Sequence, residues 1–145
     1  LAKGAAAVID YAAGSFRQAV KAWTDGRGAD IVFDPIGGDV FDESLHCIAP
    51  FGRMLVIGFA SGRIPTATVN HALLKQYSIV GVRAGEYGRV YPEGGRQVHA
   101  ALERWAASGK LTPHVHERLA FEDLLNGLDT IAARRVMGRV VCELP

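Results

Sequence analysis

Cysteine is scarce in this chain: Cys47 and Cys142 are the only two, far apart and without C-x-x-C spacing. That excludes a disulfide framework and a zinc knuckle, and it fits a reducing cytosol. Charge of one sign is also missing, since sixteen Lys+Arg against fifteen Asp+Glu leave a formal net charge of +1. A surface dedicated to nucleic acid or acidic membranes needs a larger excess. No apolar run approaches the ~20 residues of a membrane-spanning helix. Internal repeats, low-complexity tracts, a Walker-type G-K-S/T and a signal peptide are absent too. The chain does not begin with Met, and Leu1-Ala2-Lys3-Gly4 reads as a helix tail with its glycine cap. That points to a piece of a longer protein.

What is present suits a packed fold. At 145 residues with 49% hydrophobic and 21% charged side chains, the chain is neither disordered nor too small for a core. A domain of this size buries roughly 68–70% of its unfolded surface. Apolar β-branched runs alternate with helical stretches. Ala7-Val8-Ile9-Asp10-Tyr11 reads as a short strand. Ser15 and Gln18 have capping-box spacing, and Phe16, Ala19, Val20 and Trp23 then form one helical stripe. Ala29–Asp34 reads as a strand that is apolar without alternation, as if covered on both faces. Asp39 caps the next helix, which carries Phe41, Leu45 and Ile48 on one side and ends at Pro50 and Gly52. Arg53–Gly58 and Tyr77–Val82 read as further strands, with a helical turn around Val69–Lys75 between them. Beyond them come a helix from Pro92 to Ala107, a strand over His114–Leu119, a helix from Phe121 to about Ala133, and a closing strand over Gly138–Leu144. Alternation over the first 85 residues predicts a parallel sheet with right-handed crossovers, an α/β fold.

Ligands of open parallel sheets bind beyond the carboxyl ends of the strands. Those ends are Asp10-Tyr11, Asp34–Gly38, Gly58–Gly62 and Val82–Gly85, three of which carry glycine and so let a flat ligand approach the main chain. Other chemistries fare worse. Gly26-Arg27-Gly28 precedes a strand instead of opening a helix, so it is a turn and not a phosphate fingerprint. His114 and His116 share one face of a strand but lack a third metal ligand. Cys47 follows His46 directly, and adjacent helix positions point apart, which disfavours a Cys–His nucleophile. Ser61 has no G-x-S-x-G elbow. Asp34 and Asp39 make a poor carboxylate pair, because one ends a strand while the other caps a helix. Arg134, Arg135 and Arg139 read as a solvated cationic face.

The series Gly28-Ala29-Asp30-Ile31-Val32-Phe33-Asp34-Pro35-Ile36-Gly37-Gly38, Gly52–Gly58, Ser78–Val82 and Met137–Val141 resembles the C-terminal half of a medium-chain dehydrogenase/reductase. The wording of Asp34–Gly38 and Ile57–Gly62 is similar to the zinc-free quinone oxidoreductase (zeta-crystallin-like) branch. The resemblance implies a partial Rossmann fold: the third to sixth strands of a doubly wound sheet of order 3-2-1-4-5-6, followed by an α+β segment returning to the catalytic domain. Residues 1–85 would belong to the nucleotide-binding domain and 86–145 to the catalytic domain. The glycine fingerprint, the first two strands and the catalytic residues would lie upstream, so no catalytic residue is assigned.

The same resemblance implies NADP(H) as cofactor, no zinc, and hydride transfer to a quinone or activated enone. Its cofactor residues carry over to Tyr11 at the 2′-phosphate end, Gly38 at the ribose, Gly58, Phe59, Ala60 and Ser61 beside the nicotinamide ribose, and Val82, Arg83 and Ala84 at the carboxamide. Arg134 and Arg139 carry over as phosphate-directed cations. It also implies a homodimer through strand 78–82, a cytoplasmic location, and no nucleic-acid or membrane partner. A zinc-type alcohol dehydrogenase, an enoyl-thioester reductase of the same superfamily, and a non-catalytic dimerising or nucleotide-sensing module are the alternatives. Without two strands from the middle of the sheet, one strand edge would stay unpaired. Without its pyrophosphate contacts, worth ~1.5–3 kcal/mol each, the fragment alone should bind NADPH roughly 10²–10⁴-fold more weakly and reduce nothing.

Overall fold

The computed structural model describes residues 4–11 and 14–145, which divide into two compact units, one ending at Ala84 and the other running from Gly85 to Pro145. The first unit contains α1 (Arg17–Trp23), β1 (Ala29–Asp34), α2 (Gly38–Cys47), β2 (Ile48–Val56), α3 (Val69–Lys75) and β3 (Ser78–Gly81). Its three strands are parallel in the order β1-β2-β3, and the rows Val32–Met54–Ile79 and Phe33–Leu55–Val80 cross the sheet. Successive residues point to opposite faces, so these two rows look to opposite sides. The α/β architecture and the parallel sheet are as the alternating pattern implies.

Only one face of this sheet is covered. Phe41 and Leu45 from α2 pack on Ile48, Met54 and Tyr77, with Val32, Val56 and Ala72 beside them. On the other face Phe33 is 65% exposed and Ile31 52%. Among the described residues of this unit, the expected cover on both faces of Ala29–Asp34 is therefore not found. α2 and α3, which make the two crossovers, both contribute to the same core.

Residues 7–11 do not form the expected strand. They run without regular structure apart from a single 3-10 position at Tyr11, and Val8 is 72% exposed. β1 is itself the edge of the sheet and does not pair with them. The physical reason lies in connectivity: a strand that the expected order separates from β1 by two others has no hydrogen-bonding neighbour here, and an unpaired strand is not stable in water.

Three local details also differ from expectation. α2 passes directly into β2 at Ile48, so Pro50 and Gly52 lie within the strand and do not end the helix. They sit where the pairing with β1 slips between Ala29↔Ile48 and Ile31↔Arg53, and where Phe51 takes a left-handed φ of 61°. Ser15 does not cap its own helix. Its hydroxyl donates to the Glu43 carboxylate of α2, which also accepts the Arg17 backbone N–H at 3.0 Å. Asp39 is not the cap of α2 but lies in its first turn, where the helix dipole favours an anion.

The second unit holds α4 (Ala84–Val90), α5 (Pro92–Ala107), β4 (Val115–Ala120), a 3-10 turn (Phe121–Asp123), α6 (Leu124–Ala132) and β5 (Arg139–Glu143). β4 and β5 are parallel partners joined through α6. α4 and α5 approach closely at Gly88 and Gly95, where a Cβ on Gly95 would stand 2.7 Å from the Gly88 Cα. The expected stripe on α5 forms, yet Val98, Leu102 and Trp105 stay 41–51% exposed. Among the described residues of this unit only Gly127 is buried.

Candidate functional site

The site grows from the carboxyl ends of β1 and β2. The β1 strand delivers Asp34 into the interior, 2% exposed, where its Oδ1 accepts the backbone N–H groups of Ile36 at 2.8 Å and Gly37 at 2.9 Å. This Asx-type turn stops the strand and folds the next four residues into the start of α2. Gly37 and Gly38 have φ values of 70° and 55°, and a Cβ on Gly38 would stand 2.7 Å from the Ser61 hydroxyl oxygen. Only glycine combines that backbone with that approach.

The loop leaving β2 lies across this glycine pair. The Ile57 N–H donates to the Asp34 carbonyl at 2.9 Å, Ala60 N–H to Pro35 at 3.1 Å and Ser61 N–H to Ile36 at 2.9 Å. The return bond runs from Gly38 N–H to the Arg63 carbonyl at 3.1 Å. The Phe59 ring packs against Gly37, and Gly58 rests on Pro35. Of the sequence-predicted residues, the structure thus brings together Gly38, Gly58, Phe59, Ala60 and Ser61. Val82 joins the same rim, its N–H donating to the Val56 carbonyl at 3.0 Å, with Arg83 and Ala84 directly after it.

Tyr11 lies in the irregular amino-terminal stretch, 56% exposed. Arg134 and Arg139 belong to the second unit, where they line a depression of about 370 Å³ with Ile131, Val136, Gly138 and Val140. The side chains of Arg83, Arg134 and Arg139 make no ion pair among the described residues. Arg27, Arg63, Arg89, Arg96 and Arg118, by contrast, are committed to carboxylates. A rim of small residues, with Ala60 and Ser61 exposed over the buried Gly37 and Gly38 and with Arg83 next in sequence to Val82, suits a flat, anionic ligand such as a nicotinamide nucleotide.

The other candidate chemistries find no support in the geometry. Cys47 is buried, and burial followed by the nearby Glu43 carboxylate pushes its thiol up, away from a reactive thiolate. Asp34 is enclosed while the Asp39 side chain is fully exposed, so they do not form a working pair. No group of three or more His, Cys, Asp or Glu side chains that could hold a metal occurs among the described residues. No helix among them is long and apolar enough to cross a membrane.

Sequence reasoning missed the side chains that tie the site to its frame. Arg63 Nη2 donates to Asp39 Oδ1 at 2.8 Å and to Asp42 Oδ2 at 2.5 Å, a link across more than twenty positions of sequence. Lys75 Nζ donates to the carbonyls of Leu45 and Ile48 at 3.0 Å and of His46 at 3.3 Å, capping the far end of α2. The Asp34 turn had a local signal in the Asp-Pro-Ile-Gly spacing; the two long-range cations had none.

A parallel sheet with crossover helices and a glycine rim at its carboxyl edge is part of a Rossmann-type nucleotide-binding fold. The sequence profile of the family described as zinc-binding dehydrogenase matches residues 3–142. The chain belongs to that family, within the medium-chain dehydrogenase/reductase superfamily. It is 32% identical over 142 residues to quinone oxidoreductase-like protein 2 of Bos taurus, covering 97% of this chain and 40% of that protein. A mycobacterial protein solved in complex with NADPH superposes with a TM-score of 0.83 at 27% identity, over 96% of this chain and 44% of the other. An NAD-dependent alcohol dehydrogenase gives 0.79 at 30% identity, over 98% and 39%. The chain spans about two fifths of the length of the relatives it matches and corresponds to their C-terminal portion.

Proposed function

We propose that this chain is the C-terminal part of an NADPH-dependent reductase acting on a quinone or an activated enone. The observation that carries the reading is the rim: main chain of Gly58–Ser61 bonded over the turn that holds Gly37 and Gly38. Similarity to a quinone oxidoreductase-like protein and to an NADPH complex supports the choice of substrate and cofactor. The nicotinamide, when bound, supplies the hydride. This chain's part is to hold it: Gly38, Gly58, Phe59, Ala60 and Ser61 along the riboses, Val82, Arg83 and Ala84 at the carboxamide, and Tyr11, Arg134 and Arg139 at the phosphates. In this reading residues 1–85 are nucleotide-binding and 86–145 return to the catalytic domain, whose elements would cover the half-exposed stripes of the second unit. The protein works without zinc, in the cytoplasm, on a small molecule rather than at nucleic acid or membrane.

The test is consumption of NADPH by the natural-length protein with a simple quinone as acceptor, against NADH as control. Turnover with NADPH and quinone, and a metal analysis free of zinc, are expected. Zinc-dependent oxidation of an alcohol would instead favour the second reading, a zinc-type alcohol dehydrogenase, for which the likeness to an NAD-dependent alcohol dehydrogenase speaks. The 145-residue chain by itself should show no tight NADPH signal in titration calorimetry. A tight signal would overturn the division of the cofactor site between this chain and upstream residues.

Self-association follows from the same reading. β3 is the outer strand of its sheet, and its Ile79 and Val80 are 43% and 37% exposed. We take this edge to pair with a second copy. Val80→Pro should convert a dimer into monomers or aggregates by light scattering; an unchanged dimer removes this interface.

A further inference from the structure

We propose that Arg63 is a positioning residue: its side chain, shared between Asp39 and Asp42, holds the 58–62 loop in the conformation that presents Phe59, Ala60 and Ser61 to a ligand. The inference rests on the nucleotide reading above only for what that ligand is. The loop carries two glycines and is bonded by its backbone to residues 34–38, a turn that itself contains two glycines. Such a pair of segments can shift together. Among the described residues, only Arg63 links the loop by side-chain hydrogen bonds to the body of α2.

The geometry says which arm matters. Asp39 is fully exposed, and a pair in open water is worth little. Asp42 is half-shielded at 45% exposure and one helical turn further in, so it anchors the guanidinium to a rigid stretch of helix. The Arg63 backbone belongs to the same closure. Its carbonyl accepts the Gly38 N–H, and its N–H donates to the Ser61 hydroxyl at 3.3 Å. One residue therefore ties the helix start, the helix body and the loop together.

Chymotryptic cleavage after Phe59 in the natural-length protein reads this directly, because it follows local opening of the loop. Arg63→Gln should speed cleavage there about fivefold or more, with far-UV circular dichroism and cleavage after Tyr91 in the second unit unchanged. Asp42→Asn should do the same, Asp39→Asn much less, and the exchanged pair Asp42→Arg with Arg63→Asp should restore slow cleavage. Wild-type cleavage rates in folded Arg63→Gln and Asp42→Asn would overturn the clamp. In the natural-length protein, Arg63→Gln should raise the KM for NADPH about tenfold with kcat within about threefold. An unchanged KM beside a loosened loop would overturn the positioning role. A wild-type protein that never turns over NADPH would count against the function reading, while the cleavage rates would still decide the clamp.

Discussion

The Asp34 carboxylate accepts the Gly37 backbone N–H at 2.9 Å from a position only 2% exposed to solvent. That bond turns the end of a parallel strand into the start of a helix and sets the floor on which the β2 loop rests. A buried acceptor with two committed donors is hard to replace, because its loss leaves both N–H groups unsatisfied away from water.

Asp34→Ala should accordingly destabilise the chain by about 2–4 kcal/mol, measured as a lowered urea midpoint at unchanged slope. Asp34→Asn keeps an oxygen at the same place and should recover at least half of the loss. An alanine variant within about 0.5 kcal/mol of wild type would show that water replaces the carboxylate without cost.

Gly38→Ala combines two penalties that a second substitution separates. The left-handed backbone at φ 55° costs a non-glycine residue roughly 1–2 kcal/mol, and the new methyl meets the Ser61 hydroxyl. Ser61→Gly in the Gly38→Ala background should relieve the contact and leave the backbone term. Equal stability of the single and double variants would mean that the Ser61 side chain simply rotates away.

Lys75 closes the opposite end of α2. Burial, then nearby Lys21, lowers its pKa, yet three carbonyls accept its ammonium protons. Lys75→Met keeps the apolar stem and removes the donors, so a loss of about 1–3 kcal/mol is expected in thermal or urea unfolding. A neutral or stabilising result would show that the stem, and not the ammonium, holds α3 to the helix end.

His71 gives the fold a pH dependence of definite sign. Burial first, then Lys75 and His46, lower its pKa below the ordinary 6.5, and its Nδ1 lies 3.4 Å from the Tyr77 hydroxyl. The unfolded chain therefore binds the proton more readily than the folded one. Stability should be fully present above pH 6.5 and fall as the pH drops from there through the lower folded value. Glu43 works in a separate window. Burial opposes its ionisation, but hydrogen bonds from Ser15, Arg17 and Phe16 prevail, so its contribution is lost only below its ordinary 4.5. His71→Gln should flatten the upper part of the urea-midpoint profile and leave the lower part intact; an unchanged slope above pH 5 would assign the effect elsewhere.

Much of this architecture is legible in local patterns. The helix from Pro92 to Ala107 has the bounds that its proline start and apolar spacing imply. β1 forms over the apolar run Ala29–Asp34, and Phe41, Leu45 and Ile48 enter one core. Such features depend on residues within one or two turns of each other. Residues 7–11 misled for the opposite reason: their composition suits a strand, but a strand exists only with a neighbour to bond to.

Amino-acid order alone settled the alternation of strands and helices, the glycine-bearing rim and the kinship with the dehydrogenase family, because each is written in short contiguous runs. Folding in three dimensions decided the rest. It selected which face of the sheet is covered, made Glu43 a cap for another helix, and set Arg63 and Lys75 on partners twenty to thirty positions away. Those choices turn on which surfaces meet and which donors are left buried, and neither spacing nor composition encodes them.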